Sequence, residues 1–365
     1  MKHSLFVISS YLAATISAAP YTPHLSSRRQ TKSSTAPAKI IEQTDAPWNL
    51  ERISRVAPIV RGGRNVTDLA YKYRYDERDI ATGVDVYIHD TGIDPLNPDF
   101  DSRAQIIFTE NPYDIWDRDG HGTHVAGTVG SRHYGVAKNV SIWGIKIMSI
   151  PMEDPLGPNL EEKTSLDHIQ DKVNGIRAAI RQHNIRKKEK GFKGSVMNMS
   201  WGLPRDFMEM APGGHELLKN ALKDAVAAGI HMSVSATNSG SDACESFPSG
   251  YAKEIPSLIV VGNTDINDTR ATSSDWGPCV SLYAPGTEIK STSLKVNGWV
   301  EVLTGVSMAA PLVGGVVATQ LAKFPQLRDD PIAMKKKILD MALKGVVKDA
   351  RGGGNLLLNT GISTV

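Results

Sequence analysis

The sequence carries almost no net charge. Its 41 Lys and Arg residues stand against 39 Asp and Glu, a formal excess of +2, which leaves no electrostatic case for a nucleic-acid partner. The locally basic run "RKKEKGFK" (186–193) reads as a solvated turn between a helix and a strand. Long apolar stretches are also missing. The N-terminal run from Leu5 to Ile16 is too short to span a bilayer, and no later segment is expected to do so. No internal repeat or coiled-coil heptad is present. Cysteine is scarce: Cys244 and Cys279 are the only two. In an oxidising compartment they can pair; otherwise they are two buried thiols.

What is present begins with an export signal. A basic start, the apolar run and the small residues Ser17, Ala18 and Ala19 make residues 1–19 a secretory signal peptide, so the protein is expected to be secreted and extracellular. Residues 20–45, rich in Ser, Thr, Pro and Ala, read as a short disordered or removable leader. The remainder, 46–365, is expected to fold as the working domain, and a chain of 365 residues with 41% hydrophobic content can bury one large core or two smaller ones.

Beyond the leader, short apolar runs alternate with amphipathic stretches. "VDVYIHD" (84–90), "VSIWGIKIM" (140–148), "SVMNMS" (195–200), "IHMSVSA" (230–236) and "SLIVVG" (257–262) read as buried strands. "LDHIQDKVNGIRAAIRQH" (166–183) and "HELLKNALKDAVAAG" (215–229) have helical spacing, the second closed by Gly229. Strands alternating with helices predict an α/β fold with a mostly parallel sheet covered on both faces. In such folds functional groups gather at the carboxyl ends of the strands.

Four residues sit where such groups belong. In "GVSMAAP" (305–311), Ser307 lies between a glycine turn and a helix-like run ending near Ala322, so it is either a helix N-cap or a nucleophile. Asp90 ends the first strand before Thr91 and Gly92, where an Asx turn is the plain reading. His121 stands between two glycines at the predicted start of a helix, whereas His124 points into the following small-residue helix and reads as packing. Asn238 ends another strand in "SATNSG". Each is unremarkable alone, but together they complete a set. A serine hydroxyl is unreactive until a base takes its proton. His121 can do so near neutral pH, Asp90 can orient the imidazole, and Asn238 with the Ser307 backbone N–H can hold an oxyanion.

"DTGID", "DGHGTHVAGTVGS" and "GVSMAAP", in that order, resemble the subtilase family of serine proteases, whose Asp, His, Ser order is a known pattern. "DAPWNLERIS", "YGVAKNVSIWGIKI", "APGTEIKST" and "NLLLN" bring the likeness closer to the proteinase K branch, over about Asp45 to Thr360. The resemblance implies one α/β domain around a seven-stranded parallel sheet. It also implies a monomer that cuts protein or peptide substrates through Asp90, His121 and Ser307, and requires no metal or cofactor for the chemistry. Ser200, Trp201, Gly202 and Thr237 match substrate-binding positions, and the "DAC" and "C" positions of Cys244 and Cys279 pair in some relatives.

Departures from the family pattern are equally concrete. Val306 replaces a threonine, Leu312 and Gly314 give "PLVGG" for "PHVAG", and Trp201 and Leu203 replace smaller residues. Thr237 replaces a glycine in the wall of the primary pocket, so it either narrows that pocket or disturbs the backbone beside Asn238. Ser281 stands where relatives have a calcium-binding carboxylate; carbonyls near Pro256 and Leu258 alone compensate a dication poorly. Relatives carry a folding-assisting prodomain where this chain shows only the short leader. These departures keep a second reading open, a secreted pseudoprotease that binds peptides or inhibitors without cutting. Sequons at Asn65, Asn139 and Asn267 are expected to be glycosylated, while Asn198, in a buried strand, is not.

Overall fold

Each predicted strand is found, with its ends shifted by at most two residues. The computed structural model describes residues 39–148 and 163–362; the predicted signal peptide and most of the predicted leader lie outside the described residues. Seven strands form a continuous parallel array: β1 (Val84–Asp90), β2 (Ala104–Thr109), β3 (Ser141–Lys146), β4 (Gly194–Met199), β5 (Ile230–Ser235), β6 (Ile259–Thr264) and β7 (Leu282–Pro285). Their spatial order is β2-β3-β1-β4-β5-β6-β7. β2, mostly half-buried, and β7, only four residues long, are the two that the sequence reading does not anticipate. The free edge of β7 accepts the two-residue strand Leu356–Leu357 in parallel, and Leu343–Lys344 pairs antiparallel with that strand, so the sheet has nine strands rather than seven. An unpaired edge leaves N–H and C=O groups exposed, and the returning chain covers them.

All of β1 is buried because helices cover both faces. Its side chains alternate accordingly. Val86 and Ile88 face a core built with helices α1 (His121–Gly130) and α4 (Val306–Lys323). Tyr87 faces another, built with α2 (Ser165–Arg186) and α3 (Gly214–Ala228). α2 starts at a capping box between Thr164 and Asp167. α3 stops at Gly229, whose φ of 98° is readily reached only without a side chain. α4, at 18 residues, is long and apolar enough to cross a membrane, contrary to the expectation from sequence; 89% of it is buried inside the protein, which makes it a core helix.

One boundary also differs from expectation. Ile40–Ala46 forms a strand antiparallel to Tyr71–Asp76, so the last residues of the predicted leader are paired. The polar character of 40–46 suits a strand on the surface, where one face meets water. Cys244 and Cys279 form a disulfide with Cα atoms 5.4 Å apart.

Candidate active site

β1 is the strand from which the chain leaves in one direction to β2 and β3 and later resumes on the other side at β4, and crevices at such switch points are where α/β sheets bind ligands. Asp90 ends β1 and is fully buried. Its Oδ1 accepts the Thr91 N–H at 2.8 Å and lies 2.6 Å from Nδ1 of His121. A carboxylate accepts only, so the proton is on Nδ1 and the Nε2 lone pair is left to act as a base.

The start of α1 is pressed against the β1 turn. A Cβ on Gly122 would lie 2.0 Å from the Gly92 carbonyl oxygen, so only glycine permits this approach. Thr91 Oγ1 accepts the Gly122 N–H at 2.9 Å and donates to Asp117 at 3.0 Å. Asp117 also accepts the N–H groups of Asp119, Gly120 and Thr123. Asp119 in turn accepts the His121 N–H at 3.1 Å. Burial works against the imidazolium, but the charge and hydrogen bond of Asp90, with Asp119 and Asp117 behind it, outweigh that and raise the His121 pKa to about 9. His124, by contrast, is buried with Nε2 on the Ile289 carbonyl and its pKa is pushed down to about 3, in keeping with packing.

Ser307 is not a helix cap. α4 begins at Val306 behind Gly305, with no cap from the local side chains. Instead Asn238, which follows β5, accepts the Val306 N–H on Oδ1 at 3.1 Å and so caps the helix from outside. That fixes the amide and turns its Nδ2 donor toward Gly305, where a Cβ would sit 3.3 Å from the nitrogen. The Ser307 N–H lies in the first turn of α4, where backbone donors have no acceptor within the helix. Both donors lie beside Gly305, Asn238 Nδ2 at 3.3 Å and the Ser307 nitrogen at 3.7 Å from where a Cβ would sit.

Pro311 prepares the other side. Its missing N–H leaves the Ser307 carbonyl, four residues earlier, without a helix partner. Ser200 Oγ donates to that carbonyl at 2.9 Å, and Ser307 Oγ donates to the Ser200 carbonyl at 3.1 Å. Asn198 Nδ2 holds Ser200 Oγ at 2.8 Å. The Ser307 hydroxyl is thus turned toward the Ser200 carbonyl.

The predicted substrate segment is placed differently from expectation in one respect. The Trp201 indole is buried and donates from Nε1 to His89 Nδ1 at 3.0 Å, so its side chain is unavailable to a substrate. It lies inside because an indole buries a large apolar area when its N–H finds an acceptor. Gly202 faces Thr237: a Cβ on Gly202 would lie 2.2 Å from the Thr237 γ-methyl. Thr237 has φ of 91°, a region costing a β-branched residue about 1–3 kcal/mol. Val306 is buried in a small apolar cluster with Ala236, Cys279 and Tyr283.

Ser281 Oγ accepts the Val260 N–H at 3.1 Å, and the Leu258 carbonyl accepts from Lys335 Nζ at 2.6 Å. An ammonium thus holds a carbonyl that calcium would need, and the carboxylate is absent; these residues do not fit a calcium ion. Of the sequons, Asn65, Asn139 and Asn267 are exposed and Asn198 is fully buried in β4. Sequence reasoning did not single out Asp117, Asp119 or Pro311, although "DRDGHG" places two carboxylates just before the histidine and a proline inside a helix frees a carbonyl.

A model of the subtilase family matches residues 81–361. The chain belongs to the subtilase family. It is 35% identical over 321 residues to cerevisin of Saccharomyces cerevisiae, covering 84% of this chain and 45% of that protein. It is 34% identical over 323 residues to alkaline protease 2 of Aspergillus fumigatus, covering 84% of this chain and 58% of that protein. Among solved structures it is similar to a cold adapted subtilisin-like serine proteinase, with TM-score 0.67 and 31% identity over 87% of this chain and 98% of the other. This subtilase chain spans about half the length of the two named relatives, and its α/β fold is subtilisin-like.

Proposed function

We propose that this subtilase is a secreted serine endopeptidase. The observation that carries the reading is the 2.6 Å bond between His121 and buried Asp90, in a chain that retains Ser307 and a free donor on Asn238. A binder without chemistry has no use for a histidine oriented by a buried carboxylate. In the first step His121 Nε2 takes the Ser307 hydroxyl proton as Oγ bonds to the scissile carbonyl carbon. The carbonyl electron pair moves to oxygen, where Asn238 Nδ2 and the Ser307 N–H hold it. Collapse breaks the C–N bond, His121 gives its proton to the leaving amine, and an acyl group remains on Ser307. Water then repeats the sequence, losing its proton to His121, and the proton returns to Ser307.

Further parts of the reading rest on the same residues. The Thr237 γ-methyl against Gly202 favours small apolar side chains, Ala or Val, before the scissile bond over Phe or Tyr. The N-terminal sequence supports export, and three exposed sequons support glycosylation at Asn65, Asn139 and Asn267. The enzyme works as a monomer on protein or peptide substrates, without a metal in the chemistry and without a calcium ion held at Ser281. A fluorescent organophosphonate tests the central claim: it should label the wild-type protein and fail to label Ser307→Ala. Absence of labelling in the wild type would overturn the reading.

A further inference from the structure

The loop that carries Asn238 is laced to a distant segment, and one residue makes most of the bonds. Asp275 is fully buried and lies 38 residues beyond Thr237 in sequence. Its Oδ1 accepts the Ser239 N–H at 2.8 Å and the Ser241 N–H at 3.0 Å. Its Oδ2 accepts the Thr237 hydroxyl, and its own N–H donates to the Thr237 carbonyl at 3.0 Å. Gly240 is tied to the same segment, its N–H to the Ser273 carbonyl and its carbonyl to the Trp276 indole N–H. Every residue from 237 to 241 is thus anchored there except Asn238, whose side chain reaches the other way, to Val306.

Thr237 is the weak point of this arrangement, because its φ of 91° is one a β-branched residue leaves unless held. We propose that Asp275 is a positioning residue for the oxyanion donor: by binding the Thr237 hydroxyl it holds Thr237 in this conformation and so places Asn238. A carboxylate suits the task because it accepts on both oxygens, taking two amide N–H groups on one and a hydroxyl on the other. An asparagine would turn an NH2 group toward one of those partners. The same bond fixes the Thr237 rotamer and so keeps its methyl against Gly202.

The inference rests on the protease reading, and its test has one readout that needs activity and one that does not. Thr237→Val keeps the bulk and removes the hydroxyl; Asp275→Asn replaces one of the two acceptor oxygens by an NH2 donor. On a small amide substrate each single variant should lower kcat roughly tenfold with KM little changed, within the loss expected for a displaced oxyanion donor. The double variant should lose little more than either single one. Thr237→Gly, which reaches the angle unaided, should restore kcat to Asp275→Asn, and Thr237→Ser must lose less than Thr237→Val. Thermal midpoints should show the same non-additivity. Multiplicative losses in kcat, or single variants within twofold of wild type, would overturn the proposal. If the wild type cleaves nothing, the protease reading falls, while additive midpoint shifts would separately refute the hold of Asp275 on Thr237.

Discussion

The half of the site around Asp90 and His121 and the half around Asn238 and Ser307 are built differently. The first draws its bonds from two short stretches, 90–94 and 117–123, and keeps the family motifs intact. The second gathers groups from 198–202, 237–241, 275 and 305–311, and holds Thr237, Trp201 and Val306, all departures from the family pattern. Moving a proton demands one geometry whatever the substrate, whereas receiving a substrate admits many. In the proposed mechanism the two halves share only the transfer of the Ser307 proton to His121, so the second can be reshaped while the first stays fixed.

Breaking the first half should have the largest effect. Ser307→Ala or His121→Ala should cost roughly 10⁴-fold or more in kcat, and combining them should add little, because the residues act as a unit. Retention of more than about a hundredth of wild-type hydrolysis by Ser307→Ala would point to another nucleophile.

The disulfide staples only the second half, since the loop from Cys244 to Cys279 contains Asp275. Replacing both cysteines by serine should lower unfolding stability by about 3–4 kcal/mol in the chain-entropy account, measured by denaturant midpoint and slope. An unchanged midpoint would show that packing alone holds this half.

A smaller change sharpens the contrast at Thr237. Thr237→Ser keeps the hydroxyl bonded to Asp275 and removes the methyl against Gly202. Relative kcat/KM for Phe over Ala before the scissile bond should rise about tenfold, the usual scale for one methyl group in a pocket. Wild-type preference for Phe would contradict the narrowed pocket.

The smallest expected effect lies in the first half and concerns pH. His121 must be neutral to act as a base, and its pKa is raised to about 9, so kcat/KM should climb through an acid limb into the alkaline range. Because the folded value lies above the ordinary one, the stabilisation from protonated His121 is complete below about pH 6.5 and is lost as pH rises through 9. Asp119→Asn removes one of the carboxylates that raise it and should move the acid limb to lower pH. An unmoved acid limb would show that Asp119 acts on His121 through the backbone alone.

Local pattern made much of this legible without coordinates. A run of buried residues ending in Asp90 reads as a strand, glycines around His121 read as a helix start, and the separation of "DTGID", "DGHGTH" and "GVSMAAP" carries the family. Periodicity and turn chemistry depend on near neighbours, and so they survive in one dimension. Contacts across the chain do not. That Ser307 lies inside the helix and is not its cap depends on Asn238 closing the helix from another strand. That Trp201 turns inward depends on His89 across the sheet. Two short strands extend the sheet beyond β7 because its edge is free, a fact of the assembled sheet. Strand–helix order and the chemical parts at the strand ends are written in the local pattern of residues. How Thr237, Gly202 and Asp275 meet is not written there, because hydrogen bonds and close contacts between distant segments are set by packing and leave no periodic trace along the chain.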